Sequence, residues 1–362
     1  MPTQTAHPVV TARSVLLDAD GELQLREVAV PPPGPGQIRL RITACGVCPA
    51  ESAGWSARRL RNNSPGHEPA GVVESLGPGV SHLRAGMRVF AHHHAPCGTC
   101  GACRRGRPVH CATWRRNALT PGAMSEYVLV SAEAVAADVL PLPESVPDAA
   151  ATLIEPLACV LRAWSRALGP DRSSPPEGSA APESVLVMGL GVMGMLHCAA
   201  ARARAAEVVI AADRVPHRLS RALEFGATET VNVEVEDLAA RVSDYTGGRG
   251  ADLVIVGPGS AEAMELGSAC IAPGGTLLLF SPLPVGQRWG MPVGELFHRE
   301  VRVITSFSAG PDDTRAALAA LAGPLQGVGR RLVTHRFPLD RVHEAFRLAA
   351  TSAEALQVVV EP

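Results

Sequence analysis

Four cysteines fall within fifteen residues: Cys97-Gly-Thr-Cys100-Gly-Ala-Cys103, then seven residues, then Cys111. Two-residue gaps let successive sulfurs turn onto one centre, and the longer gap brings the fourth round to close a tetrahedron. That is the pattern of a closed, structural four-thiolate zinc site with no open position for substrate. A disulfide framework and an iron–sulfur cluster are the competing chemistries. The start of the sequence, Met1-Pro-Thr-Gln-Thr-Ala-His7, shows no basic and apolar leader, which argues against disulfides. The spacing matches neither ferredoxin run, which argues against the cluster.

A second set is dispersed. Cys45-Gly-Val-Cys48 precedes Gly66-His67-Glu68, and Ile154-Glu155-Pro156 comes much later. Cysteine, histidine and one carboxylate make a catalytic zinc set that leaves one position for water or substrate. Glycines at 66 and 71 suit a histidine held on a tight backbone. The competing reading is a hydrogen-bonded histidine and a buried thiol with no metal.

A third motif binds dinucleotides. Gly189-Leu-Gly191-Val192-Met193-Gly194 follows a β-rich run and opens a helical one. The first glycine permits the turn, the second lets backbone approach a pyrophosphate, and the third lets helix pack on strand. Amides of the helix start, at Val192 and Met193, then face the phosphates. Asp213 ends the next strand, nineteen residues after Gly194. A carboxylate there accepts hydrogen bonds from ribose hydroxyls and repels a 2′-phosphate, which favours NAD over NADP. Arg214 and Arg218 follow it and could tolerate a phosphate.

These motifs need elements to hold them. From about Arg13 to Leu142 short alternating or β-rich runs are separated by Gly and Pro, which predicts an irregular β domain with the cysteine lobe, about 93–115, as an excursion. Asp148 to Leu168 predicts a helix with Leu153, Leu157, Leu161 and Trp164 on one face. Pro170 to Glu183 is a loop without core-forming residues. From Ser184 six strands alternate with helices, which predicts a doubly wound parallel sheet. The tail from about Ala309 is expected to hold one or two helices and the strand Gln357-Val-Val-Val, returning to the first domain. The expected division is 1–157 with 309–362, and 158–308.

Bulk properties bound the answer. The 362 residues exceed one ordinary core, and 46% are hydrophobic. No apolar run reaches eighteen residues, so no membrane span is expected. A net charge of −2 points away from nucleic acid. With no leader, the expected location is the cytoplasm. All 33 basic residues are arginine, so no lysine can serve as base or Schiff-base nucleophile.

Together these residues resemble the zinc-dependent medium-chain dehydrogenases, in the branch that includes sorbitol, threonine and glucose dehydrogenases. Gly66-His67-Glu68-Pro-Ala-Gly71, with Gly77 and Val80, is similar to that family's zinc signature. The cysteine lobe and the Gly189-to-Asp213 unit match in order and spacing. Ile154-Glu155-Pro156-Leu-Ala-Cys-Val-Leu-Arg resembles the branch that uses glutamate where other alcohol dehydrogenases have a third cysteine ligand. Phe307-Ser-Ala-Gly-Pro-Asp-Asp-Thr-Arg and Thr334-His-Arg-Phe-Pro-Leu also look like this branch. The resemblance covers nearly the whole chain. It implies a GroES-like catalytic domain, a Rossmann domain, an active site in the cleft between them, and a homodimer or homotetramer. By the same resemblance Cys48, not Cys45, binds the catalytic zinc with His67 and either Glu68 or Glu155. Glu51 stands where the family has an aspartate that orients the ligand histidine.

Two positions depart from the family. Its Ser or Thr, two residues after the ligand cysteine, is Ala50, and its frequent histidine, five after, is Ala53. Those side chains relay the alcohol proton, and alanine cannot. His93, in His92-His93-His94, is the candidate replacement because imidazole titrates near neutrality. The competing reading leaves all three histidines solvated or hydrogen-bonded in the lobe. Glu51 and Ser52 are weaker candidates. Trp55-Ser-Ala-Arg58-Arg59-Leu-Arg61 enters the substrate region by the resemblance and suggests a polar or anionic substrate; the competing and preferred reading is an exposed basic loop.

The expected protein is thus a two-zinc, NAD-dependent enzyme that oxidises a secondary alcohol of a polyol, cyclitol or sugar-like molecule, or reduces the ketone. Without the relay, reduction of a conjugated alkene or iminium is an alternative. A catalytically silent NAD-binding protein is the alternative from another class.

Overall fold

The computed structural model describes residues 8–18, 20–52, 64–116, 118–168 and 182–362. Ala53, the Trp55-to-Arg61 segment and positions 170–181 of the Pro-rich loop lie outside the described residues. The chain forms two compact units, Met1–Ala158 with Ala309–Pro362, and Cys159–Ser308. Among the described residues no helix is long and apolar enough to cross a membrane.

The first unit is β-rich. Strands β1 (Val10–Leu17) and β2 (Leu23–Val30) form an antiparallel hairpin. The main sheet contains β3 (Ile38–Gly46), β4 (Glu68–Leu76), β5 (Arg88–Ala91), β6 (Leu119–Thr120), β7 (Tyr127–Val130) and β8 (Val139–Pro141). Two strands from the tail, β15 (Val333–Pro338) and β16 (Gln357–Glu361), extend it in the order β15-β16-β3-β4-β5-β8. Strand β3 is central because Ile38, Leu40, Ile42 and Ala44 are all buried. Its buried Arg39 forms a two-pronged bond to Glu74 on β4, at 2.7 and 3.1 Å, which ties down the register. Strand β16 lies antiparallel to β3, with Val360 opposite Cys45 and Val359 opposite Gly46.

The tail holds more than expected. It contains three helices, Pro311–Ala322, Gln326–Leu332 and Val342–Thr351, and two strands rather than one. Strand β15 is the surplus strand. It lies at the end of the sheet and ends at Pro338, which an edge strand tolerates. Its residues are half-buried or exposed, so it carries no apolar alternation to read.

The expected helix from Asp148 to Leu168 is also two pieces, Asp148–Ala151 and Ile154–Leu168. Pro156 has no N–H to give the carbonyl of Thr152, and the Thr152 hydroxyl bonds back to Ala149 O at 2.7 Å. The chain therefore restarts its helix, with Pro156 in the first turn, where proline costs little. Glu155 sits in that same turn.

The second unit carries six parallel strands: β9 (Ser184–Met188), β10 (Val208–Asp213), β11 (Glu229–Asn232), β12 (Ala251–Val256), β13 (Ile271–Leu279) and β14 (Arg302–Thr305). Their order is β11-β10-β9-β12-β13-β14, the doubly wound order that reverses beside β9. All five residues of β9 are buried, as a central parallel strand with both faces covered requires.

Candidate active site and metal centres

The four lobe cysteines come together without disulfides. Cys100 Sγ lies 3.5 Å from Cys103 Sγ, and Cys111 Sγ 3.6 Å from Cys97 Sγ. A disulfide needs about 2.05 Å. A tetrahedron with bonds of about 2.3 Å has edges of roughly 3.8 Å, so the thiols fit zinc. Backbone amides of Cys97 and Cys100 donate to Cys111 Sγ and Cys97 Sγ. Hydrogen bonds from Thr99 lead the effects that bring the Cys97 thiol down to about 6. Val109, Cys111 and Trp114 give the lobe a small core of its own.

The second centre gathers residues far apart in sequence. Ligand atoms of Cys48, His67 and Glu68 lie within 4.8 Å of one another. Strand β3 delivers Cys48 two residues beyond its end, and β4 begins at Glu68. Gly66 stands at φ +101°, and a Cβ there would meet Met124 N at 2.5 Å, so only glycine places His67 this way. Glu51, on the short 3₁₀ turn Pro49–Ser52, is buried. Its Oε1 accepts from Gly66 N at 2.8 Å and bonds His67 Nδ1 at 2.7 Å. That bond fixes the proton on Nδ1 and turns Nε2 toward Cys48 and Glu68, as metal-binding histidines are oriented. Cys45 is fully buried and stays outside the triplet.

The electrostatics fit a cation. Burial pushes Glu68 up to about 8, with the neighbouring charge of Glu155 acting in the same direction. Burial also raises the Cys48 thiol. Burial opposes charge on His67, but Glu51 and the bonds to Cys48 and Glu51 outweigh it and raise His67 well above its usual value. Without a metal, protons must supply the positive charge; zinc would replace them.

Sequence reasoning missed three participants. Gln357 on β16 donates to Glu68 Oε2 at 2.7 Å. Asp138 and Thr314 stand behind His92: His92 Nδ1 lies 2.8 Å from Asp138 Oδ2, and Thr314 Oγ1 donates to Asp138 Oδ1 at 2.5 Å. None carries a local signal, because each partner lies 46 to 289 residues away.

The three consecutive histidines have three different surroundings. His94 packs on Trp114, with ring centroids 3.9 Å apart, and bonds Arg116 O. His92 is held by Asp138. His93 faces His67, ring centroids 4.8 Å apart, and its Nδ1 is buried with no hydrogen-bond partner among the described residues. The sequence suggests an imidazole titrating near neutrality, but burial and the adjacent histidines hold His93 well below its usual value. Glu155 is grouped with His92 and His93, and Glu68 with Cys48 and His67. Ala50 is exposed in the 3₁₀ turn.

In the second unit Gly189 has φ +84°, and a Cβ on Gly194 would meet Gly189 O at 2.0 Å. A Cβ on Gly191 would meet nothing, which leaves open space before the first turn of the helix Val192–Ala203. The amides of Val192 and Met193 have no intrahelical partners in that turn. Asp213 Oδ2 accepts from Leu190 N at 2.6 Å and Oδ1 from Val215 N at 2.9 Å. The carboxylate is thus fixed at the turn, and each oxygen keeps a lone pair for a ribose hydroxyl. Arg214 is exposed and Arg218 half-buried.

A doubly wound sheet with this glycine turn, joined to a β-rich unit with these metal sets, defines a zinc-dependent nicotinamide dehydrogenase. The comparisons agree. Residues 34–144 match the alcohol dehydrogenase GroES-like domain, and residues 192–323 match the zinc-binding dehydrogenase family. L-threonine 3-dehydrogenase of Pyrococcus furiosus is 34% identical over 72% of this chain and 73% of its own length. Erythritol/L-threitol dehydrogenase of Mycolicibacterium smegmatis is 28% identical over 97% of each. The crystal structure of a zinc-binding dehydrogenase from Sinorhizobium meliloti, bound to NADP, superposes with a TM-score of 0.83 at 26% identity, covering 98% of this chain and 100% of that one. The chain belongs to the zinc-dependent medium-chain dehydrogenases, in the sorbitol and threonine dehydrogenase branch. It is an oxidoreductase acting on CH–OH groups, with zinc, a nicotinamide cofactor and a small-molecule substrate.

Proposed function

We propose that this dehydrogenase uses NAD to oxidise a secondary alcohol of a polyol, cyclitol or sugar-like molecule, or to reduce the corresponding ketone. The observation that carries the reading is the Cys48–His67–Glu68 triplet with Glu51 bonded to His67 Nδ1. Zinc bound there supplies Lewis-acid polarisation of an alcohol or carbonyl oxygen. Glu51 orients His67, and Gln357 orients Glu68 by the 2.7 Å bond. A second, structural zinc belongs to Cys97, Cys100, Cys103 and Cys111. The relatives that oxidise threonine and tetritols support a substrate with neighbouring polar groups.

In this reading His93 Nδ1 is the candidate acceptor of the substrate proton, although burial and the adjacent histidines hold His93 well below its usual value. This atom is a buried lone pair beside His67, and the methyl group of Ala50 offers no alternative. NAD is the favoured cofactor in this reading, because the fixed carboxylate of Asp213 would accept from ribose hydroxyls and repel a 2′-phosphate. A homodimer or homotetramer is supported by β14, an edge strand flanked by exposed Met291, Val293 and Phe297. Light scattering on the purified protein tests the oligomer.

One observation favours a second reading. Ala50 carries no hydroxyl, and reduction of a conjugated alkene or iminium protonates no alkoxide. The decisive experiment follows NADH absorbance with a panel of polyols, aminocyclitols and nucleosides, for wild type and His93→Ala across pH. A general base contributes about two to four orders of magnitude. Loss of that size in alcohol oxidation supports the reading. Equal rates and the same profile remove His93. No alcohol oxidation by wild type, with turnover of an enone, replaces the reading with the reductase.

A further inference from the structure

We propose, resting on the zinc set assigned above to Cys48, His67 and Glu68, that Trp114 is a positioning residue for that centre: it carries the fold of the four-cysteine lobe to His67 through a row of rings. Four rings stand in succession. Trp114 and His94 have centroids 3.9 Å apart, His94 and His93 3.9 Å, and His93 and His67 4.8 Å. All four residues belong to the first unit.

Each end of the row is anchored in a metal set. Trp114 is buried and shares the lobe's small core with Val109 and Cys111, against which Cys97, Cys100 and Cys103 pack. The indole therefore sits where closure of the four thiols puts it. At the other end stands His67, grouped with Cys48 and Glu68. Its bond to Glu51 holds one ring atom, Nδ1, at 2.7 Å. One hydrogen bond leaves a ring free to tilt about it. What lies against the ring decides the tilt, and His93 lies there, its plane 47° from that of His67. The direction of the His67 Nε2 lone pair follows from that tilt.

The middle of the row has no slack. Aromatic pairs usually keep their centroids about 4.5–7 Å apart. Both 3.9 Å separations are shorter, so these rings touch, and a displaced ring displaces the next. The lobe grips the same two histidines through backbone: His94 Nδ1 lies 3.3 Å from Arg116 O, and Ala118 N donates to His93 O at 2.8 Å. His92 stands edge-on to His93 at 4.9 Å and is itself fully buried and fixed by Asp138, so a shift of His93 is not absorbed there. Closing the lobe thus sets the orientation of a ligand in the other metal set.

The test uses the full chain loaded with zinc. The catalytic equivalent is the zinc missing from Cys48→Ala, and the lobe equivalent is the one missing from Cys100→Ser. Chelator competition measures the affinity of the catalytic equivalent. Cobalt(II) exchanged into it reports its geometry by ligand-field absorption. Trp114→Leu and His94→Ala should each weaken this equivalent by about tenfold, the low end for residues that act on a metal through its ligand, and shift the cobalt bands while the lobe zinc stays bound. Trp114→Phe and His94→Phe keep a ring at each position and should restore wild-type affinity and bands. Wild-type affinity and bands in His94→Ala overturn the coupling. So does equal weakening in His94→Ala and His94→Phe, which assigns the effect to the lost contact with Arg116 O. Where Trp114→Leu also releases the lobe zinc, the His94 pair, which leaves the lobe core intact, decides. Two zincs in Cys48→Ala would instead remove the catalytic set of the proposed function, and the coupling with it.

Discussion

Replacing Gly46 by alanine should weaken the catalytic zinc without replacing any ligand residue. A Cβ at residue 46 would fall 1.9 Å from Glu68 Oε2 and 2.2 Å from Gln357 Nε2. Ordinary contact needs roughly 1.5 Å more, and the two atoms are joined by a 2.7 Å bond. The methyl must therefore drive them apart. Overpacking of this kind costs about 1–3 kcal/mol. The lost hydrogen bond has a different weight in the two metal states. With zinc bound, Glu68 is anionic and the bond is worth about 1.5–3 kcal/mol. Without metal, Glu68 titrates at about 8 and is neutral at pH 7, so the bond is worth about 0.5–1.5 kcal/mol. The difference, about 1–1.5 kcal/mol, is near tenfold in zinc affinity, and misorientation of Glu68 adds to it. Chelator competition should show the catalytic zinc weakened about 10- to 100-fold, with the four-cysteine zinc unchanged. Gly46→Ala/Gln357→Ala removes one clashing partner. It should recover metal-free thermal stability but not zinc affinity. A single variant with zinc affinity within twofold of wild type would refute the reasoning.

Three further outcomes are expected. The metal-free protein should lose stability as pH rises from about 5 to 8: folded Glu68 holds its proton up to about 8 and unfolded glutamate releases it near 4.5, so the unfolded state binds fewer protons across that window. The raised His67 acts in the same direction, and thermal melts of stripped and zinc-restored protein should diverge with pH; parallel melts would count against the buried carboxylate. Cys100→Ser should release one zinc per chain and lower the melting temperature while the second zinc remains, read by metal analysis and calorimetry; full zinc content with unchanged melting would remove the lobe assignment. Asp213→Ala should weaken NAD binding and narrow the preference over NADP, read as the ratio of kcat/KM values, and a wild type that already prefers NADP would reverse the cofactor assignment.

Local spacing was enough for three features. The cysteine lobe closes within fifteen residues, so chain geometry alone brings its sulfurs together. The turn from Gly189 to Gly194 and the carboxylate at Asp213 belong to one strand–helix–strand unit, whose parts meet wherever that unit folds. The alternation after Ser184 gave the parallel sheet because buried parallel strands are continuously apolar. In the first unit alternation and Gly/Pro punctuation made the β-rich character legible, but not β15, whose half-exposed edge position leaves no pattern.

Only tertiary structure decided the chemistry of the metal residues. His92, His93 and His94 are identical side chains in consecutive positions, and sequence cannot rank them. Asp138, His67 and Trp114 assign each its surroundings, and all three arrive through long-range packing. Either Glu68 or Glu155 could have joined Cys48 and His67. The start of β4 brings Glu68 within 4.8 Å of both, and Glu155, in the first turn of its helix, stands close enough for its charge to act on Glu68. Gln357 reaches Glu68 only because β16 pairs with β3, across 289 residues. A hydrogen bond or a ligand set depends on positions within a few tenths of an ångström. Contiguous sequence fixes such positions over one turn or one strand pair; beyond that, sheet register and burial fix them.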